Sequence, residues 1–109
     1  MLREALVVVP KADNESHSLV ALRDKTVGAL VDAFGGATVI DANGAWRDGS
    51  GKLYNEPVWQ FVSAYEPSES HDAVLRNIAQ QVGQEGKQLA VYVRYAGGNV
   101  EILDTATKH

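Results

Sequence analysis

Two segments of helical periodicity, each bracketed by valine- and aromatic-rich runs, constrain this chain more than any other feature. "LVALRDKTVGALVDAF" sets Leu19, Leu22, Val27, Leu30, Val31 and Phe34 at helical spacing, the pattern of one apolar face meeting a core. "HDAVLRNIAQQVGQEG" does the same with Val74, Leu75, Ile78 and Val82 and predicts a helix from His71 to about Gln84. Around them stand strand-like runs: "REALVVVP", read as a strand from Arg3 to Val9 closed by Pro10, then "ATVIDANGAW", "LYNEPVWQFVSAY" and "QLAVYVRYA". After the tight turn "GGN", "VEIL" returns as a short further strand.

The order is βαββαβ with one added strand. It predicts an α+β fold of ferredoxin-like plan, an antiparallel sheet with two helices on one face and a short extra C-terminal strand. Right-handed crossovers place both helices on the same side, and the plan implies strand order 4-1-3-2. The 109 residues make a single domain, 1–109, with room for one core.

Local signals punctuate the elements. Ser16 or Ser18 is expected to cap the first helix, and Gly35-Gly36 to stop it in the left-handed region. Gly28 inside that helix costs roughly 1 kcal/mol relative to alanine, which suggests a point of close packing. "RDGSGK" reads as a hairpin turn. Pro57 predicts either a bulge or a position whose missing N–H faces away from a partner. The closing "TATKH" reads as a frayed end, with His109 the start of a tag.

Composition removes several function classes. Cysteine is absent, which excludes disulfides, thiolate catalysis and cysteine-bound metals and fits a reducing cytoplasm. A formal charge of −4 and a pI of about 5.2 argue against a general nucleic-acid surface. The longest apolar run, Ala5 to Val9, is too short to cross a bilayer, and the N-terminus reads as a strand and not a signal peptide. Cytoplasmic localisation without membrane association is the expectation. The three histidines, His17, His71 and His109, show no HxH or HExxH spacing, so no metal is expected. "FGG", "DGSG" and "AGGN" lack the spacing of phosphate-binding loops, and no cofactor is expected.

Alternation along the strands separates two faces. Trp59, Phe61, Ser63 and Tyr65 alternate with Glu56, Val58, Gln60 and Val62, and Val91, Val93 and Tyr95 with Tyr92 and Arg94. In the second strand, Thr38, Ile40 and Ala42 are assigned to the helices, leaving Val39, Asp41 and Asn43 outside. The corresponding register pairs Asn43 with Glu56 and Asp41 with Val58. An open face with valines among polar groups is expected to join two copies through Val39, Val58, Val62 and Tyr92, with Arg94 offered to Asp41 or Glu56.

The ligand-binding candidates are accordingly Asp41, Trp46, Glu56, Gln60, Tyr92 and Arg94. No catalytic constellation is evident. His71, Tyr65 and Arg94 are the alternative actors if the chain is an enzyme. Asp41 and Glu56 form a candidate carboxylate pair, set against simple cross-strand pairing. Lys11, Asn14 and Ser16 precede a helix N-terminus and offer an anion lip, set against a plain capping loop.

Phe34 to Tyr65 carries Gly35, Gly36, Gly44, Trp46, Gly51, Leu53 and Glu56. This segment resembles one found in small uncharacterised bacterial and phage proteins, in which a "G-x-W" hairpin is followed by a "G-x-L-x-x-E" return. The resemblance implies a ferredoxin-like fold and a phage accessory role, and brings no reaction with it. The leading expectation is a non-enzymatic, dimeric accessory protein that binds a small molecule or a host protein. The alternatives are a cofactor-independent enzyme of the dimeric α+β-barrel type, and a phage inhibitor that sequesters a host signal or blocks a host enzyme.

Overall fold

The computed structural model describes residues 1–13 and 15–106. The expectations for Asn14 and for the last three residues of "TATKH" lie outside them. The elements are β1 (Arg3–Pro10), α1 (Val20–Phe34), β2 (Thr38–Arg47), β3 (Leu53–Tyr65), α2 (Glu69–Glu85), β4 (Ala90–Arg94) and β5 (Val100–Asp104). All neighbouring strands pair antiparallel, in the order β2-β3-β1-β4-β5. The first four run β4-β1-β3-β2, and β5 extends the sheet beyond β4. The sheet is therefore five-stranded and not the simple ferredoxin-like pattern.

One face of the sheet meets the helices. Val7, Val9, Trp59, Phe61, Val91, Val93 and Leu103 pack there against Leu30, Leu75, Ala79 and Val82. Each fully buried side chain of this size contributes ~1.5–3 kcal/mol. Thr26, which the apolar spacing passes over, is buried in α1 and donates its hydroxyl to the Leu22 carbonyl at 2.7 Å. Val31 and Val74, assigned to the core by spacing, are exposed.

The helix ends differ in chemistry. Ser68 caps α2, its Oγ accepting from the His71 N–H at 3.1 Å. The N-cap position of α1 is Leu19, which offers no side-chain cap. Of the two serines, Ser18 accepts at Oγ from the Val20 N–H, the first of the helix, at 3.4 Å, whereas Ser16 sits back in the loop at φ 64°. Gly35 stops α1 as expected, at φ 90° with its N–H on the Val31 carbonyl. Gly28 has open space where a Cβ would stand, so it marks no close packing. Among the described residues the most crowded glycine is Gly83 in α2, against Thr105.

The β2–β3 register differs from the expected one by one residue. Asn43 pairs with Pro57, Gly44 with Glu56 and Asp41 with Trp59. Residues paired directly share a face. Val39 and Asp41 therefore lie on the helix side, while Thr38, Ile40 and Ala42 lie on the open side. Asp48 sets this count. Its Oδ1 accepts from Ser50 N–H, Ser50 hydroxyl and Lys52 N–H, closing a turn whose last pair is Arg47 with Leu53. Val39 then packs on the core beside Phe61, the gain that offsets an exposed Ile40.

Pro57 makes no bulge, because the register runs unbroken from Leu53 to Val62. Its carbonyl accepts from Lys11 N–H at 3.1 Å. A residue's N and C=O point to the same side of a strand, so the Pro57 nitrogen faces the same way. That is just past the end of β1, where no ladder donor is required.

Candidate functional site

Among the described residues no helix covers the second face of the sheet. Its rungs follow from the pairings. One runs Ile40, Gln60, Val8, Tyr92, Ile102, and the next Thr38, Val62, Leu6, Arg94, Val100. Ile40, Tyr92, Val100 and Ile102 are exposed large apolar side chains. Sheet faces of this composition are usually covered.

The β2–β3 hairpin continues past the end of β1, whose last pair is Pro10 with Val58. On this overhanging arm Trp46 pairs with Tyr54, and their rings stack with centroids 4.4 Å apart and planes at 11°. Tyr54 hydroxyl donates to Asp48 Oδ2 at 3.1 Å, and Lys52 Nζ lies 4.9 Å from its ring centroid. The Asp48 carboxyl is held below the usual aspartate value, first by the Ser50 hydroxyl. The turn is thus tied to the stack, which leaves Trp46 half exposed. One rung inward, Glu56 is half-buried opposite Gly44, where the lack of a side chain clears space. Neither Glu56 nor Arg94 has an ion pair among the described residues.

Trp46, Glu56, Gln60, Tyr92 and Arg94 therefore share the open face. Asp41 does not. It lies on the helix side, paired to Lys11 at 2.8 Å, and Lys11 holds its carboxyl below the usual range. Asp41 and Glu56 are on opposite faces and form no carboxylate dyad. Lys11 and Arg23 lie over the buried Trp59 ring at 5.8 and 5.5 Å. Arg23 and Trp59 line a shallow open groove of about 450 Å³ with Asp24, Val27, Val39 and Asp41. Lys11 is thereby committed, and Ser16 sits back from the helix start, so the anion lip is not assembled from these two.

Tyr65 and His71 come together on the helix side, ring centroids 5.5 Å apart, whereas Arg94 is across the sheet. Tyr65 is buried, stacked on Phe34, donates to Asp72 Oδ1 at 2.6 Å and accepts from the Ala96 N–H at 3.2 Å. Burial, then the bond to Asp72, pushes its phenol far above the ordinary value, so it stays protonated at neutral pH and is not available as a base. His71 Nδ1 donates to the Glu66 carbonyl at 2.6 Å, since a carbonyl only accepts. Tyr95 follows the same pattern. Burial and its bond to Glu101 push its phenol up to about 12.

These tyrosines give a signed pH prediction. Below about pH 10 folded and unfolded chains both hold the phenols protonated, so their contribution is complete. Above it the unfolded chain ionises first, and stability falls as pH rises toward the folded values. Ultraviolet titration is expected to show Tyr65 and Tyr95 still protonated at about pH 11 in the folded protein. Ionisation of all four tyrosines there, with the fold intact, contradicts the burial argument.

No family model matches the sequence, and no curated protein sequence matches it. Solved structures do match the fold. A phage SAM lyase in complex with S-methyl-5'-thioadenosine superposes with a TM-score of 0.73 at 16% identity, over 94% of this chain and 89% of that one. A phage SAM lyase in the apo state gives 0.70 at 14% identity, over 97% and 91%. At these identities the likeness establishes a shared fold. Among the described residues no helix is long and apolar enough to cross a membrane.

Proposed function

We propose that this chain is a phage-type accessory protein that binds an adenosine-like small molecule and works as copies joined through the open sheet face. The observation that carries this reading is the hairpin arm. An exposed Trp46 stacked on Tyr54 lies beside a half-buried Glu56 that has no ion pair among the described residues. A planar base stacks on Trp46, and such a stack contributes roughly 1–3 kcal/mol. Glu56 accepts from ribose hydroxyls, which a carboxylate does well when partly desolvated. The fold likeness to a protein seen with S-methyl-5'-thioadenosine supports this ligand class.

Calorimetric titration with S-methyl-5'-thioadenosine and with S-adenosylmethionine tests the reading. Saturable binding is expected, weakened about tenfold or more by Trp46→Ala, the worth of one stacked base. Binding unchanged by Trp46→Ala, or no binding of either compound, sinks it. A second reading is favoured by both structures described above being lyases: the chain cleaves the carbon–sulfur bond to the amino-acid arm of S-adenosylmethionine, the arm's own carboxylate oxygen bonding to that carbon to close a lactone as the electron pair leaves on sulfur to give the thioether nucleoside. Chromatography of the titrated mixture separates the two readings, since turnover yields that product and sequestration returns the compound intact.

A further inference from the structure

Arg94 is the one cation among the strand residues of the open face, where Glu4, Glu56 and Asp104 are the acids. Asp104 is engaged, accepting from the Ala106 N–H at 3.0 Å among other contacts. Glu56 and Arg94 are both half-buried and neither has an ion pair among the described residues. They cannot meet within one chain. Through the register they stand three rungs and two strands apart, or roughly 22 Å at ordinary strand spacing.

We infer that Arg94 of one copy pairs with Glu56 of a second copy packed face to face on the first. This rests on the open-face assembly proposed above and fixes its orientation. A two-fold axis that matches the two residues reciprocally passes midway between them. That midpoint falls on β1 between Val8 and Pro10, the centre of the uncovered face. Glu4 is exposed at the start of β1 and Asp104 is already engaged, which leaves Glu56 as the half-buried acid for Arg94.

The extent of the face agrees. The five strands present three to six open-face residues each, which at ordinary spacings cover roughly 650–700 Å² before side-chain relief, near the ~800 Å² per partner of an ordinary stable interface. Two charge pairs then flank an apolar centre of Val8, Ile40, Val58 and Tyr92. Each pair lies one rung from a Trp46–Tyr54 stack, so the second copy completes the nucleoside site with its guanidinium.

A charge exchange tests the pairing. Glu56→Arg and Arg94→Glu are each expected to raise the self-association constant for dissociation by about tenfold to a hundredfold, as a like-charge contact replaces a pair. The double variant is expected to return it to within about threefold of the parent, a recovery no merely destabilising pair of changes produces. Circular dichroism confirms that each variant is folded. A dimeric parent indifferent to either single change, or a double variant no better than the singles, overturns the pairing. A parent that stays monomeric overturns the face-to-face reading beneath it.

Discussion

Gly83→Ala is expected to destabilise the fold by about 3 kcal/mol, the upper end of overpacking costs, despite alanine's higher helix propensity. A Cβ there would stand 2.5 Å from Thr105 Cβ, Cγ2 and Oγ1. Thr105 cannot step aside. It is fully buried, its hydroxyl donates to the Gln88 carbonyl at 2.7 Å and its N–H to the Leu89 carbonyl at 3.0 Å. This strap ties the end of β5 to the turn after α2. Scanning calorimetry should show a melting temperature lower by ~10 °C or more. Gly28→Ala in α1 provides the contrast, because nothing lies within 4 Å of its Cβ position and ~1 kcal/mol of stabilisation is expected. Equal melting temperatures for Gly83→Ala and the parent would show that Thr105 yields, and the strap would lose its role.

Ile40→Asp should abolish self-association while leaving the fold intact. Ile40 is 43% exposed on the open face of the edge strand β2, so a monomer loses little by the change. In the two-fold arrangement inferred above it lies close to the axis and meets its own copy. Two carboxylates placed there, in an otherwise apolar contact, cost several kcal/mol in desolvation and repulsion. A loss of a hundredfold or more in association is the expected reading by analytical ultracentrifugation. An unchanged association constant would place any interface elsewhere.

The elements were legible because hydrophobic period changes sharply at each boundary. "LYNEPVWQFVSAY" is a strand over its full length, from Leu53 to Tyr65. Facing on β3 and β4 was equally legible, since large aromatics and valines alternate with polar groups there. On β2 it was not. Thr38, Ile40 and Ala42 are no less apolar than Val39, Asp41 and Asn43, so pattern alone favours the wrong side. The deciding information was the length of the turn, fixed by hydrogen bonds to Asp48 that no periodicity reveals. Asp41 was misplaced for that reason. It tolerates the helix side because α1 stops covering the sheet near Lys11 and Arg23, whose charges receive it.

The candidate site was legible in its members more than in its geometry. Trp46 and Glu56 stand out in a turn-rich stretch whose glycines need no aromatic or acid beside them. That Tyr54 backs Trp46 as a stack follows only from the observed register. The partition of Tyr65 and Arg94 across two faces, by contrast, was legible without the register. Alternation placed Tyr65 and Arg94 on opposite sides, and the helix brought His71 to the former.

Sedimentation equilibrium of the parent chain at micromolar concentration tests the central claim, that the open face joins copies of this protein. The account predicts a mass of about twice the 11.8 kDa of one chain, falling toward one chain on dilution. A mass of 11.8 kDa at every concentration, with and without S-methyl-5'-thioadenosine, would contradict it.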